Sequence, residues 1–165
     1  MKEARKIASA PVSTKRTQSE RGREEMSLAL PSEGGCQCGE IRYRLTGEPV
    51  WLGVCHCNDC KMQSGGVFGM SLRMREADVK LVSGEPKCWT RPAENGGRAK
   101  NCYFCGTCGI RLWHTGGSGF LSIKPGTLDD SSLLAPRYEG WTKRKAPWLT
   151  IDGLEVSHYT QPARK

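Results

Sequence analysis

The chain has 165 residues, nine of them cysteine, with a formal net charge of +8 and only 7% aromatic residues. That length suits one domain of ordinary size, and the absence of any run of about 18 apolar residues excludes a membrane-spanning helix. The first thirty residues lack the continuous apolar stretch of a signal peptide, so a cytoplasmic protein with reduced thiols is expected. In that compartment tight cysteine clusters read as metal sites, and an odd count argues against a complete disulfide framework.

Residues 1–33 are polar and mixed in charge, carry a net +2, and show no sustained apolar face. They are expected to be a disordered basic tail or a leader, with a second methionine, Met26, just before the folded part. The folded domain is expected over residues 34–162. The rest of the chain after residue 33 carries a net +6, which suits an anionic partner, either nucleic acid or a small carboxylate-bearing molecule, although such a balance often serves solubility alone.

From Gly35 onward the apolar residues recur with period two. In residues 40–47 (EIRYRLTG), Ile41, Tyr43 and Leu45 share one face and Arg42 and Arg44 the other. Residues 67–74 alternate likewise through Phe68, Met70, Leu72 and Met74. Residues 87–91, 100–105, 110–116 and 120–126 read as further short strands bounded by glycine, proline or asparagine. Residues 74–85 hold one helical turn at most. The fold class expected is all-β: antiparallel sheets, long loops, few short helical turns.

Three cysteine clusters carry the chemistry. They are Cys36 and Cys38 in CQC, Cys55, Cys57 and Cys60 in CHCNDC, and Cys105 and Cys108 in CGTCG. Glycine after each cysteine of the last cluster suits a knuckle, where the backbone turns tightly around a thiolate. Two pairs make a closed four-thiolate zinc site. The economical partition therefore joins Cys36 and Cys38 to Cys105 and Cys108 and leaves Cys55, Cys57 and Cys60 as a trio. An alternative joins Cys57 and Cys60 to Cys105 and Cys108 in the ordinary zinc-ribbon spacing. A zinc with three protein ligands keeps one position open, the mark of a catalytic site.

The motifs GGCQCGEIRYRLTG, CHCNDCKMQSGG, FCGTCGIRL, KPGTLDD and APWL, in this order, resemble the glutathione-dependent formaldehyde-activating enzyme family, one branch of which is similar to centromere protein V. The resemblance spans about residues 34–162. It implies a β-tent fold, a structural zinc on Cys36, Cys38, Cys105 and Cys108, and a second zinc on Cys55, Cys57 and Cys60. It also implies carbon–sulfur lyase activity of the S-(hydroxymethyl)glutathione synthase type, with glutathione or a related thiol and formaldehyde or another small aldehyde as partners. The segment RYEGWTKRKAPW, the additional Cys102 and the basic tail depart from the family pattern.

The remaining candidates each have a plainer reading beside the functional one. His56 lies between two trio cysteines and, in an extended segment, points away from them as a turn residue. His114 is a candidate to face the trio from a neighbouring strand; His158 reads as structural. Asp59 and Lys61 flank Cys60 in what reads as a solvated loop, and Ser64, Gly65 and Gly66 as a flexible one. Cys88 and Cys102 read as buried free thiols, each a possible fourth ligand of the trio. Lys143, Arg144 and Lys145 form the densest basic run, either a solvated face or an anion-attracting one. Trp141 and Trp148 beside it read as core or edge packing. Two rival classes stay open: a zinc-ribbon-like module binding nucleic acid or protein, against which the scarcity of aromatics among the basic residues counts, and a thiol redox protein using Cys88 or Cys102.

Overall fold

A computed structural model describes residues 28–92, 98–132 and 134–160. Most of the expected tail therefore lies outside the described residues. Leu28 is buried, and the first strand, β1, runs over Ser32–Gly35. It pairs antiparallel with β2 (Arg42–Leu45), which pairs in turn with β5 (Val79–Ser83) to make a three-stranded sheet.

The second sheet has eight strands. From one edge to the other they are β11 (Val156–His158), β10 (Tyr138–Gly140), β3 (Trp51–Cys55), β4 (Gly69–Arg75), β9 (Phe120–Ile123), β8 (Arg111–Thr115), β7 (Lys100–Phe104) and β6 (Lys87–Arg91). The all-β reading and its tent of sheets hold. The pairing is mixed rather than purely antiparallel, because β10 runs parallel to both β3 and β11. The long connection from β9 to β10 returns the chain in the same direction as β3, which a hairpin cannot do. Among the described residues there is one α-helix, α1 (Asn58–Ser64), which follows β3. It occupies the segment read as loop, since seven residues without a buried side chain leave no apolar period to detect. In residues 74–85 the helical turn is a single 3-10 turn at Glu76–Asp78.

The period-two faces carry the core. Ile41, Tyr43 and Leu45 of β2 are buried, as are Leu72 and Met74 of β4, and they meet Leu112, Trp113 and Ile123 between the two sheets. Each such aliphatic or aromatic side chain contributes about 1.5–3 kcal/mol on leaving water. Tyr43 sets edge-on to Trp113, with ring centroids 5.8 Å apart, and its hydroxyl lies 2.7 Å from Thr127 Oγ1. This contact ties the small sheet to the 3-10 turn at Pro125–Thr127 that follows β9.

Candidate metal and thiol site

The seven cysteines of the three motifs gather into two groups. In the first, the Sγ atoms of Cys36, Cys38, Cys105 and Cys108 all lie within 4.8 Å of one another. Cys36 and Cys38 sit in the turn between β1 and β2; Cys105 and Cys108 sit between β7 and β8. The group thus clamps the three-stranded sheet to the far part of the eight-stranded one, across 67 positions of sequence. The two turns share one local construction. Cys36 N–H donates to the Ile41 carbonyl and Gly39 N–H to the Cys36 carbonyl; Cys105 N–H donates to Ile110 and Gly109 N–H to Cys105. Gly39 and Gly109 close the turns with φ of +80° and +75°, the left-handed region where a side chain is strained. Ile41 N–H donates to Cys36 Sγ at 3.2 Å and Cys108 N–H to Cys105 Sγ at 3.5 Å. Such donors favour the thiolate form. At Cys108, backbone donors at Ile110 and Cys38 draw the thiol down to about 6.

The donor set fits zinc. A tetrahedral ion with Zn–S bonds of about 2.3 Å separates its sulfurs by about 3.8 Å. The Cys36–Cys38 and Cys38–Cys105 sulfurs stand 3.4 and 3.6 Å apart.

The second group holds Cys55, Cys57 and Cys60, again within 4.8 Å of one another. Cys55 ends β3, Cys57 caps the N-terminus of α1, accepting from Cys60 N–H at 3.4 Å, and Cys60 lies in the first turn. Cys57 and Cys60 stand with Cys55 and not with Cys105 and Cys108, so the zinc-ribbon pairing is not formed. Among the described residues no further His, Cys, Asp or Glu joins the trio. Cys102, buried, directs its thiol toward the Lys100 carbonyl, 3.6 Å away. Cys88 is exposed on β6 rather than buried, because β6 is the edge strand of its sheet.

The trio's charges show why a cation suits it. Hydrogen bonds from Cys55 and Cys60 pull the Cys57 thiol down to about 2, while the bonds to Cys57 and Cys60 push Cys55 far up. Cys60 is raised as well: its bond with Cys55 acts downward, but the bond with Cys57 and burial outweigh it. Three sulfurs this close oppose one another's ionisation, and a neighbouring cation relieves it.

Close approach of α1 to β4 holds the geometry. A Cβ on Gly69 would come to 3.0 Å from both the Cβ and the carbonyl oxygen of Cys60, so glycine is what lets the helix settle there. Asp59 does not stand free in solvent; it pairs with Arg91 of β6. Lys61 donates to the Arg144 carbonyl.

His56 turns away from the trio into the protein and is fully buried. Its Nε2 lies 3.1 Å from Glu139 Oε2, and its backbone N–H donates to the Gly140 carbonyl. Glu139 also accepts from Lys145 Nζ at 2.9 Å and from Ser157 Oγ at 2.8 Å. Burial acts upward on this carboxyl, but the bonds from Lys145, Ser157 and His56 prevail and hold it below its ordinary range. Lys145 thus belongs to a buried network rather than to a solvated face. Sequence reasoning missed Glu139, for which a short strand ending in glycine offers no signal. Lys143 and Arg144 lie over the Trp141 ring at 4.7 and 5.0 Å. Trp148 is 69% exposed and packs in no core. His158 lies in β11, where its carbonyl accepts from Thr142.

His114 lies opposite Cys102 in the β7–β8 ladder rather than among the trio sulfurs. Burial, with the charges of Lys100, Lys124, Arg111 and Arg91 around it, pushes its imidazole down to about 2, so it is neutral at physiological pH. A cavity of about 480 Å³ is lined by the C-terminal end of α1 (Gln63, Ser64, Gly65), by Phe68 and Met70 on either side of Gly69, which packs on Cys60, and by Arg111, Lys124 and Thr127; none of the three trio cysteines lines it.

Fold and site together define a mostly β protein with a four-thiol clamp and a separate three-thiol group beside a cavity. The family model of the glutathione-dependent formaldehyde-activating enzymes matches residues 31–144, and the chain belongs to that family. A crystal structure of a Rhodobacter sphaeroides protein shares the fold, with a TM-score of 0.50 and 19% identity over 76% of this chain and 98% of that one. No curated protein matches the chain. No helix among the described residues is long and apolar enough to cross a membrane.

Proposed function

We propose that the protein is a cytoplasmic carbon–sulfur lyase that joins glutathione, or a related thiol, to formaldehyde or another small aldehyde at the Cys55–Cys57–Cys60 group. The observation that carries this reading is the trio itself: three converging thiols, with no fourth ligand group among the described residues, in a chain that belongs to this family. Two zinc ions per chain are proposed, one on Cys36, Cys38, Cys105 and Cys108 and one on Cys55, Cys57 and Cys60. Zinc held by three thiolates supplies a thiol-binding position and a Lewis acid when it is bound.

The chain's residues do the rest. The Cys57 cap and the Gly69 contact orient the three sulfurs toward one point. Lys124 sits close enough for its charge to favour ionised Cys60. Magnitudes limit what thiol activation achieves. A free thiol of pKa about 8.5 is about 3% ionised at pH 7, so complete ionisation gains about 30-fold, or roughly 2 kcal/mol. Further acceleration must come from holding thiol and aldehyde together, the office of the adjacent cavity.

The test replaces Cys57 with serine and measures both glutathione-dependent formaldehyde consumption and zinc content. Activity should vanish while one of two zinc ions remains. Undiminished turnover would sink the reading.

A further inference from the structure

The cavity beside the trio is unusual in its charge. Arg111 and Lys124 both line it. The Nε and Nη2 atoms of Arg111 are buried and find no hydrogen-bond partner among the described residues. Lys124 is only 8% exposed, and among the described residues its ammonium makes only a long 3.5 Å contact to the Met70 carbonyl. Neither side chain pairs with a carboxylate among the described residues, whereas Arg42, Arg44, Arg91, Arg137 and Lys145 all do. His114, neutral, has its Nδ1 buried nearby with no partner among the described residues. Burying cationic donors without acceptors costs free energy that a fold normally avoids. Two such groups on one cavity wall call for an anion from outside the chain. The guanidinium fork matches a carboxylate in shape, and the ammonium adds a second donor.

The position of the pair says which anion. Lys124 is within electrostatic reach of Cys60, and α1 carries Cys57 and Cys60 at one end while its other end lines the cavity. The Lys124 ammonium lies 3.5 Å from the carbonyl of Met70, whose neighbour Gly69 packs on Cys60, so a carboxylate bound there stands close to the trio. The cavity volume lies within the usual range of about 300–1,000 Å³ for small-molecule sites.

We propose that Arg111 and Lys124 form a carboxylate-binding subsite that anchors the thiol substrate. This rests on the reading of the trio as the thiol-reacting site, and it names the group that selects the thiol.

The experiment uses S-methylglutathione, whose sulfur is blocked, so that binding reports the anchoring alone. Calorimetry on the zinc-loaded full chain compares it with its diethyl ester, then repeats the titration with Arg111→Gln and Lys124→Met. Loss of a charge-assisted hydrogen bond should weaken binding about 10- to 100-fold, for the ester as for each variant, with zinc content unchanged. Equal binding of acid and ester by the wild type, or no binding at millimolar concentration, overturns the subsite even where a variant fails to fold. So does wild-type affinity in a folded variant. Ester-sensitive binding in a protein that never consumes formaldehyde would leave the subsite standing and refute the aldehyde chemistry. Turnover of glutathione with no binding of S-methylglutathione would do the reverse.

Discussion

His56 Nε2 and Glu139 Oε2 stand 3.1 Å apart in the interior, directly behind the segment that carries Cys55 and Cys57. Through this contact a strand some eighty residues later holds the backbone on which two of the three sulfurs are mounted. Glu139→Ala would leave His56, Ser157 and Lys145 without their acceptor. The expected loss is about 2–3 kcal/mol, read by urea unfolding, with Glu139→Gln milder because an amide still accepts.

The same carboxylate makes stability depend on acid. Its folded-state pKa is held below the ordinary value of about 4.3, so the stability it contributes is present above that value and is lost as pH falls through the lower, folded-state one. The stability difference between wild type and Glu139→Gln should be constant from neutral pH to about 5 and shrink as acid is added further. A difference that grows toward low pH would contradict the sign.

Gly69→Ala tests the seating of α1. The new methyl meets the Cβ and carbonyl of Cys60 at 3.0 Å, tighter than packed groups normally stand. Overpacking of this kind costs about 1–3 kcal/mol. Elemental analysis should show zinc lost from the trio ahead of the clamp, so that stoichiometry falls from two toward one in a protein that stays folded.

Stripping the clamp should have a different outcome. A structural zinc supplies roughly 10–16 kcal/mol of apparent binding free energy, as much as or more than the whole net stability of a domain. A strong chelator, or Cys105→Ser, should therefore abolish the cooperative thermal transition followed by circular dichroism. Cys57→Ser should keep it. Identical melting of all three would remove the distinction between a structural and a working group.

Cys88 and Cys102 lie outside both groups. The double variant Cys88→Ser, Cys102→Ser should retain turnover. Replacing Cys102, which is buried, should cost some stability; replacing Cys88, which is exposed, should cost little. Loss of activity in a folded double variant would favour thiol redox chemistry over the trio.

What the sequence by itself determined is local and periodic. The alternation through Ile41, Tyr43 and Leu45 specifies which face of β2 is buried, because side chains on a strand alternate whatever the strand pairs with. Counting thiols in CQC, CHCNDC and CGTCG suggests two sets, since four sulfurs saturate a tetrahedral ion and three do not. Tertiary structure alone decided the rest. The parallel placement of β10 against β3, the Glu139 carboxylate behind His56, and the approach of Lys124 to Met70 and Cys60 all join positions far apart in the chain. Helix α1 escaped notice because it buries no side chain of its own and forms where β3 and β4 leave it room. Such contacts leave no period in the sequence; they exist because closing the sheets brings charges together and removes the water that would otherwise separate them.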